Sequence, residues 1–270
     1  MTWLRHFHAQ FLLSQRVYWR DIGFALTAVL VPLGLALAYP ISQHRKGTLF
    51  GFDAGVFLLP GFIAFTLFWI VYNVINSAAA RRDGLIYKRL RGTPLSDMAI
   101  LTGEAVSGTV VSVIQIAVLV TVGLVVLDSP VPSNVPLLIL AVLLGAMMFA
   151  VIAIGFSGLL PSAEASTWIV TPVIALMAAG SGVFAPLSSL PDFLQTPAQF
   201  LPSTAVAAIV RTAYLGLDFA SDPAGTAIPQ QVDFLGSLHA CAEPLGVMCA
   251  WIGIGFGMAQ QFFRWDPRHK

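Results

Sequence analysis

AGVFLLPGFIAFTLFWIVYNVINSAAARRDGLIYKRLRGTPLSD, from Ala54 to Asp97, joins a long uncharged stretch to a strongly basic one. No Asp, Glu, Lys, Arg or His lies between Asp53 and Arg81, whereas five of the fourteen Lys and Arg residues lie between Arg81 and Arg91. A helix of about 20 apolar residues can cross the hydrocarbon core of a bilayer. This stretch therefore predicts a membrane-spanning helix followed by a short basic connector.

The whole chain has the composition of a membrane protein. Of its 270 residues, 57% are hydrophobic and only 10% are charged, and the formal net charge is +1. A soluble domain carries about 25% charged residues. The predicted fold class is therefore an all-α polytopic membrane protein. Nothing in the composition points to a nucleic-acid partner, and no metal site is predicted.

Six stretches are long and apolar enough to be membrane spans. They are residues 22–39, 54–78, 105–127, 135–160, 165–187 and 244–263. Residues 1–20 are predicted to form an amphipathic helix in the membrane interface, because apolar residues recur there at helical spacing. Those apolar residues are Trp3, Leu4, Phe7, Phe11 and Tyr18.

The basic residues predict the orientation of the chain. Lys and Arg are enriched in the cytoplasmic connectors of membrane proteins. If the N-terminus is cytoplasmic, only Arg45, Lys46 and Arg211 lie on the outer side, and the other eleven of the fourteen basic residues lie inside. Both termini are therefore predicted to be cytoplasmic.

The connector, residues 81–97, is predicted to be a short amphipathic helix parallel to the membrane. Gly84 permits a bend, and Pro94 disfavours helix at Thr93. Positive charge alone could simply set the orientation of the chain. The apolar residues Leu85 and Leu90 among the charges favour a second interpretation, in which a partner docks on the connector.

Two segments resemble the ABC-2 type exporter permeases. RRDGLIYKRLRGTPLSDMAILTGE, residues 81–104, resembles the segment after the second span of these proteins. GSGVFAPLSSLPDFLQTPAQFLPSTAVAAIVRTAYLG, residues 180–216, is similar to their outer segment after the fifth span, with small permeases of the daunorubicin-resistance type as the nearest match. With the six spans, the resemblance covers nearly the whole chain. In place of the Glu-rich approach to the glycine found in many members, this chain has only Asp83.

The resemblance implies that the connector is a coupling helix that sits in a groove of an ATPase subunit. Two separate ATP-binding subunits would bind the ATP and magnesium, because this sequence has no G-x-x-x-x-G-K-[ST] phosphate loop and needs no cofactor or catalytic residue of its own. A second permease chain and a bacterial plasma membrane are also implied. The residues predicted to couple to the ATPase are Arg81, Arg82, Asp83, Gly84, Leu85, Lys88, Arg89, Leu90, Arg91 and Pro94.

The resemblance further implies a substrate path between two permease chains, bordered by the second and fifth spans. Aromatic rings with a few amides and hydroxyls suit a hydrophobic or amphiphilic compound, either a drug-like molecule or a lipid, that is moved outward by alternating access. The residues predicted to line the path are Phe65, Phe68, Trp69, Tyr72, Asn73, Asn76, Thr167, Trp168, Thr171 and Met177.

The outer segment, residues 188–239, is predicted to contain two short re-entrant helices, at 191–200 and 204–217, that form an external gate. The predicted gate residues are Pro186, Pro191, Pro202 and Arg211. Arg211 is expected either to pair with Asp192 or Asp218 or to lie among lipid headgroups.

Two other functions are compatible with six spans. An ion-coupled secondary transporter usually carries ionisable groups inside its spans, whereas Glu104, Glu164 and Glu243 are expected near span ends within reach of water. An intramembrane serine protease would pair Ser157 with His239. The predicted topology places these two residues at opposite ends of their spans, which disfavours a protease.

Overall fold

The computed structural model describes residues 2–184, 187–222 and 228–266. Helices dominate this part of the chain. They are α1 Thr2–Arg20, α2 Ile22–Gln43, α3 Ala54–Asp83, α4 Ile86–Arg91, α5 Asp97–Val126, α6 Val135–Ser157, α7 Ala163–Ala179, α8 Asp192–Gln199, α9 Pro202–Leu215, α10 Phe234–Ala240 and α11 Ala242–Phe262. One 3₁₀ turn, Leu187–Ser189, follows α7, and a two-stranded hairpin, β1 Thr48–Leu49 and β2 Phe52–Asp53, precedes α3.

The predicted all-α polytopic fold class is confirmed. Within the described residues, five helices are long and apolar enough to span a membrane, namely α2, α3, α5, α6 and α11. The predicted span at 165–187 is shorter than expected, because α7 ends at Ala179 after 17 residues. At 1.5 Å per residue α7 is about 26 Å long, which is slightly less than the hydrocarbon core of about 30 Å.

Side-chain caps mark where the long helices begin. The side chains of Asp21, Asp53, Ser96, Asn134 and Ser162 accept hydrogen bonds from main-chain amides in the first turns of α2, α3, α5, α6 and α7, respectively. A cap supplies an acceptor for an amide that has no partner within the helix. These polar residues therefore set where each apolar run becomes helix.

Helix α3 is the centre of the bundle. It packs against α2, α5, α6, α7 and α9. Of its most apolar 18-residue stretch, 83% is buried inside the chain, compared with 22% for α2 and 17% for α11. The peripheral helices therefore expose apolar side chains to lipid, whereas α3 is covered by protein.

Helix α1 turns a polar face towards the bundle. Gln10, Ser14 and Tyr18, spaced four residues apart, are buried against α5. Trp3 and Leu4 are exposed, in keeping with a helix that faces the membrane interface on one side. The ring of Tyr18 packs inward on Ala25, Ala28 and Val111.

Helices α6 and α11 approach closely at two glycines. A Cβ atom on Gly155 would lie 2.6 Å from Met258 Cβ and 2.8 Å from the amide nitrogen of Ala259, and one on Gly158 would overlap the carbonyl of Phe262. The chain therefore needs small residues here for helix packing.

The same pair of helices excludes a serine–histidine dyad. Ser157 ends α6 next to the end of α11, whereas His239 lies in α10, which precedes α11. At the far end of α6, the Asn134 side chain donates a hydrogen bond of 2.7 Å to Ser237 Oγ. The length of α6, about 33 Å, thus separates Ser157 from the neighbourhood of His239.

The segment between α7 and α11 folds back into the bundle. The two predicted helices correspond to α8 and α9, with Pro191 capping α8 and Pro202 in the first turn of α9. Helix α9 is buried along almost its whole length and packs against α3, α6 and α11. Pro186 lies outside the described residues.

Candidate functional site

The basic connector is not one helix from 81 to 97. Helix α3 continues to Asp83, a two-residue turn follows, and α4 is only six residues long. The left-handed residue of the turn is Leu85, with φ 57°, whereas Gly84 has an ordinary φ of −75°. The bend attributed to Gly84 is therefore made by Leu85, an exposed branched residue in a conformation that such residues rarely adopt. Pro94 lies in the turn before α5.

A buried tyrosine anchors α4 to the bundle. Tyr87 is completely buried and packs on Ala78 and Ile100. Its ring also meets the rings of Phe263 and Trp265 edge-on, at centroid distances of 5.7 and 5.9 Å. Leu90 packs against the same cluster. The cluster holds α4 against α3, α5 and the residues that follow α11.

Three cations of α4 point away from the bundle. Lys88, Arg89 and Arg91 are all exposed. Lys88 Nζ lies 3.7 Å from Asp266 Oδ1, and Arg91 Nε lies 3.4 Å from Asp97 Oδ1. Exposed ion pairs of this kind are weak. The guanidinium of Arg91 also lies 4.9 Å from the centre of the Trp265 ring. Lys88 and Arg91 can exchange their weak ion pairs for contacts with a partner, and Arg89 is exposed beside them.

Arg81, in contrast, points inward and forms a buried ion pair with Glu104 of α5. The two side chains are 3% and 2% exposed. Arg81 Nη1 donates a hydrogen bond of 2.8 Å to Ser14 Oγ of α1, and Ser77 Oγ donates one of 2.5 Å to Glu104 Oε1. The expectation that water reaches Glu104 is therefore wrong, because α1 and α3 cover its carboxylate.

Arg82 and Asp83 form hydrogen bonds with two further helices. Arg82 is 2% exposed, and its Nη1 donates a hydrogen bond of 3.0 Å to the main-chain carbonyl of Ser157 at the end of α6. Asp83 Oδ2 accepts a hydrogen bond of 2.7 Å from the amide of Ala163, the first residue of α7. Three consecutive residues at the end of α3 thus connect it to α5, α6 and α7.

Sequence reasoning placed Arg81, Arg82 and Asp83 on the surface that binds a partner. The structure buries the two guanidinium groups and leaves Gly84, Leu85, Lys88, Arg89 and Arg91 exposed. It also brings in Ser14, Ser77 and Glu104, which sequence reasoning missed. The available signal was Glu104, a carboxylate directly before the third apolar run, together with the pair of arginines that follows the second apolar run.

The residues predicted to line a path fall into two groups. Those of α3 are buried in the centre of the bundle, where Phe68 contacts Phe149 and Trp69 contacts Tyr72. Those of α7 lie mostly on the outside of the chain, and Trp168 is 78% exposed. Within one chain, therefore, no open channel borders the predicted α3 residues in the described part of the structure. Of the predicted α7 residues, Thr167, Trp168 and Thr171 are exposed and Met177 is half-buried.

The side-chain amide of Asn76 connects the predicted path residues of α3 to those of α7. Asn76 Oδ1 of α3 accepts hydrogen bonds from Ser166 Oγ at 2.7 Å and from Thr167 Oγ1 at 2.8 Å, both of α7. Asn73 is fully buried, and neither its side-chain oxygen nor its side-chain nitrogen has a hydrogen-bond partner. Of the polar residues of the predicted path, Asn76 and Thr167 thus lie at the contact between α3 and α7.

At the other end of the bundle, Arg211 of α9 binds main-chain carbonyls. Its Nη2 donates hydrogen bonds of 2.7 Å to Gly182 O and 3.4 Å to Val183 O. It forms no ion pair with Asp192 or Asp218, so neither expected pairing is found. Asp218 Oδ1 instead accepts hydrogen bonds from the amides of Ala220 and Ser221.

Comparison with known proteins gives two findings. Residues 9–215 match the family model described as ABC-2 type transporter, which covers most of the chain. A protein of Bacillus subtilis (strain 168) that is named as a transport permease, YvfS, is 31% identical over 116 residues, which is 42% of this chain and 46% of that protein. The aligned part thus spans about half of the length of that relative.

Proposed function

The chain belongs to the ABC-2 type transporter family, and we propose that it is the permease subunit of an ATP-driven exporter. In this proposal α4 docks on an ATP-binding subunit, and two such subunits work with two permease chains. The exported compound is hydrophobic or amphiphilic. The protein lies in a bacterial plasma membrane with both termini in the cytoplasm.

The observation that carries the proposal is the arrangement around α4. Its outer face presents Lys88, Arg89 and Arg91, while its inner face is held by Tyr87. Immediately before α4, the side chains of Arg81, Arg82 and Asp83 bind α5, α6 and α7. A displacement of α4 would therefore pull on three membrane helices through short, directional contacts, as a coupling element must.

In this proposal, ATP is bound and hydrolysed by another chain. The sequence contains no phosphate-binding loop of the G-x-x-x-x-G-K-[ST] type. ATP and magnesium would then be bound by the partner subunits, and α4 would receive the movement that accompanies their closure.

A path between two permease chains is supported by the exposed face of α7. Trp168 and Leu176 are 78% and 72% exposed, on a helix with hydroxyls at Thr167 and Thr171. Such a mixed apolar and hydroxyl surface suits contact with an amphiphile or with a second copy. The aromatic residues of α3 are also covered by Phe24 of α2 and Phe149 of α6, so they would reach a path only if the helices around α3 separated. A separation of α7 from α3 would break the hydrogen bonds of Asn76.

The orientation is supported by charge at the two ends of the bundle. The connector end carries the basic residues of α4, and Arg5, Arg16 and Arg20 of α1 are exposed as well. This excess of cations is the pattern of a cytoplasmic side. The loop that precedes α3 contributes only Arg45 and Lys46 at the opposite end.

The experiment that tests the proposal is co-purification from the native membrane in mild detergent. The tagged chain is expected to retain a polypeptide with ATPase activity, and a variant with Lys88, Arg89 and Arg91 replaced by Ala is expected to lose it. The matched control replaces Arg5, Arg16 and Arg20 by Ala, which removes the same charge from the same end of the bundle and should retain the ATPase. Loss from both variants, or from neither, would contradict a specific role for α4.

An ion-coupled carrier is the second candidate, and the buried pair of Arg81 and Glu104 favours it, because ionisable groups inside a bundle often bind coupling ions. Vesicles containing the chain alone distinguish the two functions. Uptake of a lipophilic dye driven by a proton or sodium gradient without ATP would support the carrier. Dependence on the ATPase partner and on ATP would support the exporter.

A further inference from the structure

A cavity opens at the end of the bundle opposite to α4. It has a volume of about 530 Å³ and lies between the hairpin before α3, the turn after α7, helix α9 and the segment that follows α9. Cavities that hold drug-sized ligands have volumes of about 300–1,000 Å³. The space is therefore sufficient for one small amphiphile.

Aromatic rings form the apolar side of this cavity. Phe50, Phe57 and Phe219 are in mutual contact, with ring centroids 5.5–6.2 Å apart, and Phe184 lies across the cavity against Phe62 and Phe65 of α3. The rings of Phe50 and Phe184 are partly exposed. An alkyl chain or a flat ring placed here would cover apolar surface that otherwise faces water.

Arg211 supplies a cation in the lining of the cavity. Its guanidinium lies 5.8 Å from the centre of the Phe57 ring, and only its Nη2 binds the carbonyls of Gly182 and Val183. Its Nε is buried against Gly61 of α3 and is not accessible to a ligand, whereas Nη1 makes no hydrogen bond within the described residues and is not fully buried. A partly buried guanidinium with one terminal nitrogen unbonded can gain a charge-assisted hydrogen bond from an anion.

Two carboxylates limit the charge that such a ligand can carry. Asp218 and Asp222 also line the cavity, and Asp218 is already bonded to the amides of Ala220 and Ser221. These two carboxylates repel every anion, and a multiply charged one most strongly. A group with a single negative charge can pair with Arg211 while the apolar remainder of the molecule covers the phenylalanines.

We propose that this outer cavity binds one amphiphile whose polar end carries a single anionic oxygen group, paired with Arg211, and whose apolar part lies on Phe57, Phe184 and Phe219. The proposal concerns binding by this chain alone and holds whether or not the chain couples to an ATPase. Arg211 thus binds a ligand in addition to bracing the turn after α7.

The test is a displacement titration on the chain in nanodiscs, without ATP or partner subunits, with 11-(dansylamino)undecanoic acid as the fluorescent probe. Laurate is expected to displace the probe. Lauryl alcohol, which has the same chain and no charge, is expected to bind roughly ten- to a hundredfold more weakly, the range for loss of a charge-assisted hydrogen bond. Inorganic phosphate alone should not displace the probe.

Variants distinguish probe that is bound in the cavity from probe that has partitioned into the bilayer. Arg211→Gln is expected to lower the affinity for the probe by the same factor. Arg45→Gln removes an exposed cation at the same end of the bundle and should leave the affinity for the probe unchanged. Ser221→Trp provides a second test that leaves Arg211 intact, because a large side chain at this exposed lining position fills the entrance and should also weaken binding.

Three results would overturn the proposal. Equal affinities for laurate and lauryl alcohol would show that the negative charge does not contribute to binding. Displacement of the probe by inorganic phosphate would show that the site binds a free inorganic anion. Unchanged probe affinity in both Arg211→Gln and Ser221→Trp would place the probe outside this cavity. A failure of ATPase co-purification would leave the proposal untouched, because none of these measurements depends on a partner.

Discussion

Arg82 Nη1 donates a hydrogen bond of 3.0 Å to the main-chain carbonyl of Ser157, and this bond joins the last turn of α3 to the last residue of α6. Both residues are almost completely buried. The carbonyls at the end of a helix lack partners within the helix. Arg82 therefore completes the end of α6 and, at the same time, connects that helix to the turn that leads into α4.

Replacing Arg82 by Ala should lower the stability of the chain by about 1–3 kcal/mol, because the carbonyl of Ser157 loses a buried partner. Thermal unfolding in detergent measures this as a lower midpoint. Arg89→Ala is the matched control, since it removes an exposed cation seven residues further along the chain. We expect Arg89→Ala to leave the midpoint unchanged, and equal midpoints for the two variants would contradict the role of Arg82.

The buried pair of Arg81 and Glu104 should show strong coupling in a double-mutant cycle. Removal of one partner leaves an uncompensated buried charge, which typically costs about 3–5 kcal/mol. Glu104→Gln and Arg81→Gln should each be strongly destabilising, while the double variant should recover part of the loss. Additive effects on the unfolding midpoint would mean that the two groups do not act as a pair.

Tyr87 is predicted to act through its ring alone. Its hydroxyl has no hydrogen-bond partner, so Tyr87→Phe should leave stability at neutral pH unchanged. Tyr87→Ala should cost about 3–5 kcal/mol, as is typical when a buried aromatic ring is removed. The measurement is again the unfolding midpoint, and a large loss in Tyr87→Phe would show that the hydroxyl has a partner.

The same tyrosine should make the chain less stable at high pH. Burial, and secondarily the negative charge of Glu104, raise the pKa of the Tyr87 phenol well above its ordinary value. The resulting stabilisation is fully present below the pKa of the unfolded tyrosine, about 10, and is lost as the pH rises above it. The midpoint of the parent chain should therefore fall more steeply above about pH 10 than that of Tyr87→Phe, and parallel curves would contradict this.

The contact between α6 and α11 should tolerate no side chain at Gly155. A methyl group there would meet Met258 and the main chain of Ala259, so Gly155→Ala should cost about 1–3 kcal/mol as an overpacked contact. Gly257→Ala is the control on the facing helix, because a Cβ atom at Gly257 has no neighbour within 4 Å. Equal unfolding midpoints for the two variants would argue against close packing of these helices.

Hydropathy was sufficient to predict most of the long helices, because a long apolar run is a local signal. The caps were not used in the prediction, and α5 begins at Asp97, after its cap Ser96, rather than at residue 105. The short α7 was not foreseen, because the sequence analysis followed the apolar run to Leu187 and did not treat Gly180 and Gly182 as the end of the helix.

Burial of the arginines could not be predicted from the same signals. Arg81 and Arg82 look like the exposed beginning of a basic connector, and only the positions of α1, α5 and α6 show that they face inward. The cavity at the end of the bundle opposite to α4 was hidden for the same reason, since Phe57, Phe184, Arg211 and Phe219 come from distant parts of the chain. Local patterns predict elements, whereas such sites depend on how the elements pack.

Site-specific photo-crosslinking in the native membrane would test the docking of α4 most directly. A photoreactive amino acid replaces Arg89 on α4 in one variant and Arg45, an exposed cation at the opposite end of the bundle, in another. We expect position 89 to form a crosslink with an ATP-binding polypeptide and position 45 to form none. Crosslinking from position 45 but not from position 89, or from neither, would contradict the assignment of α4 as the element that couples this permease to ATP hydrolysis.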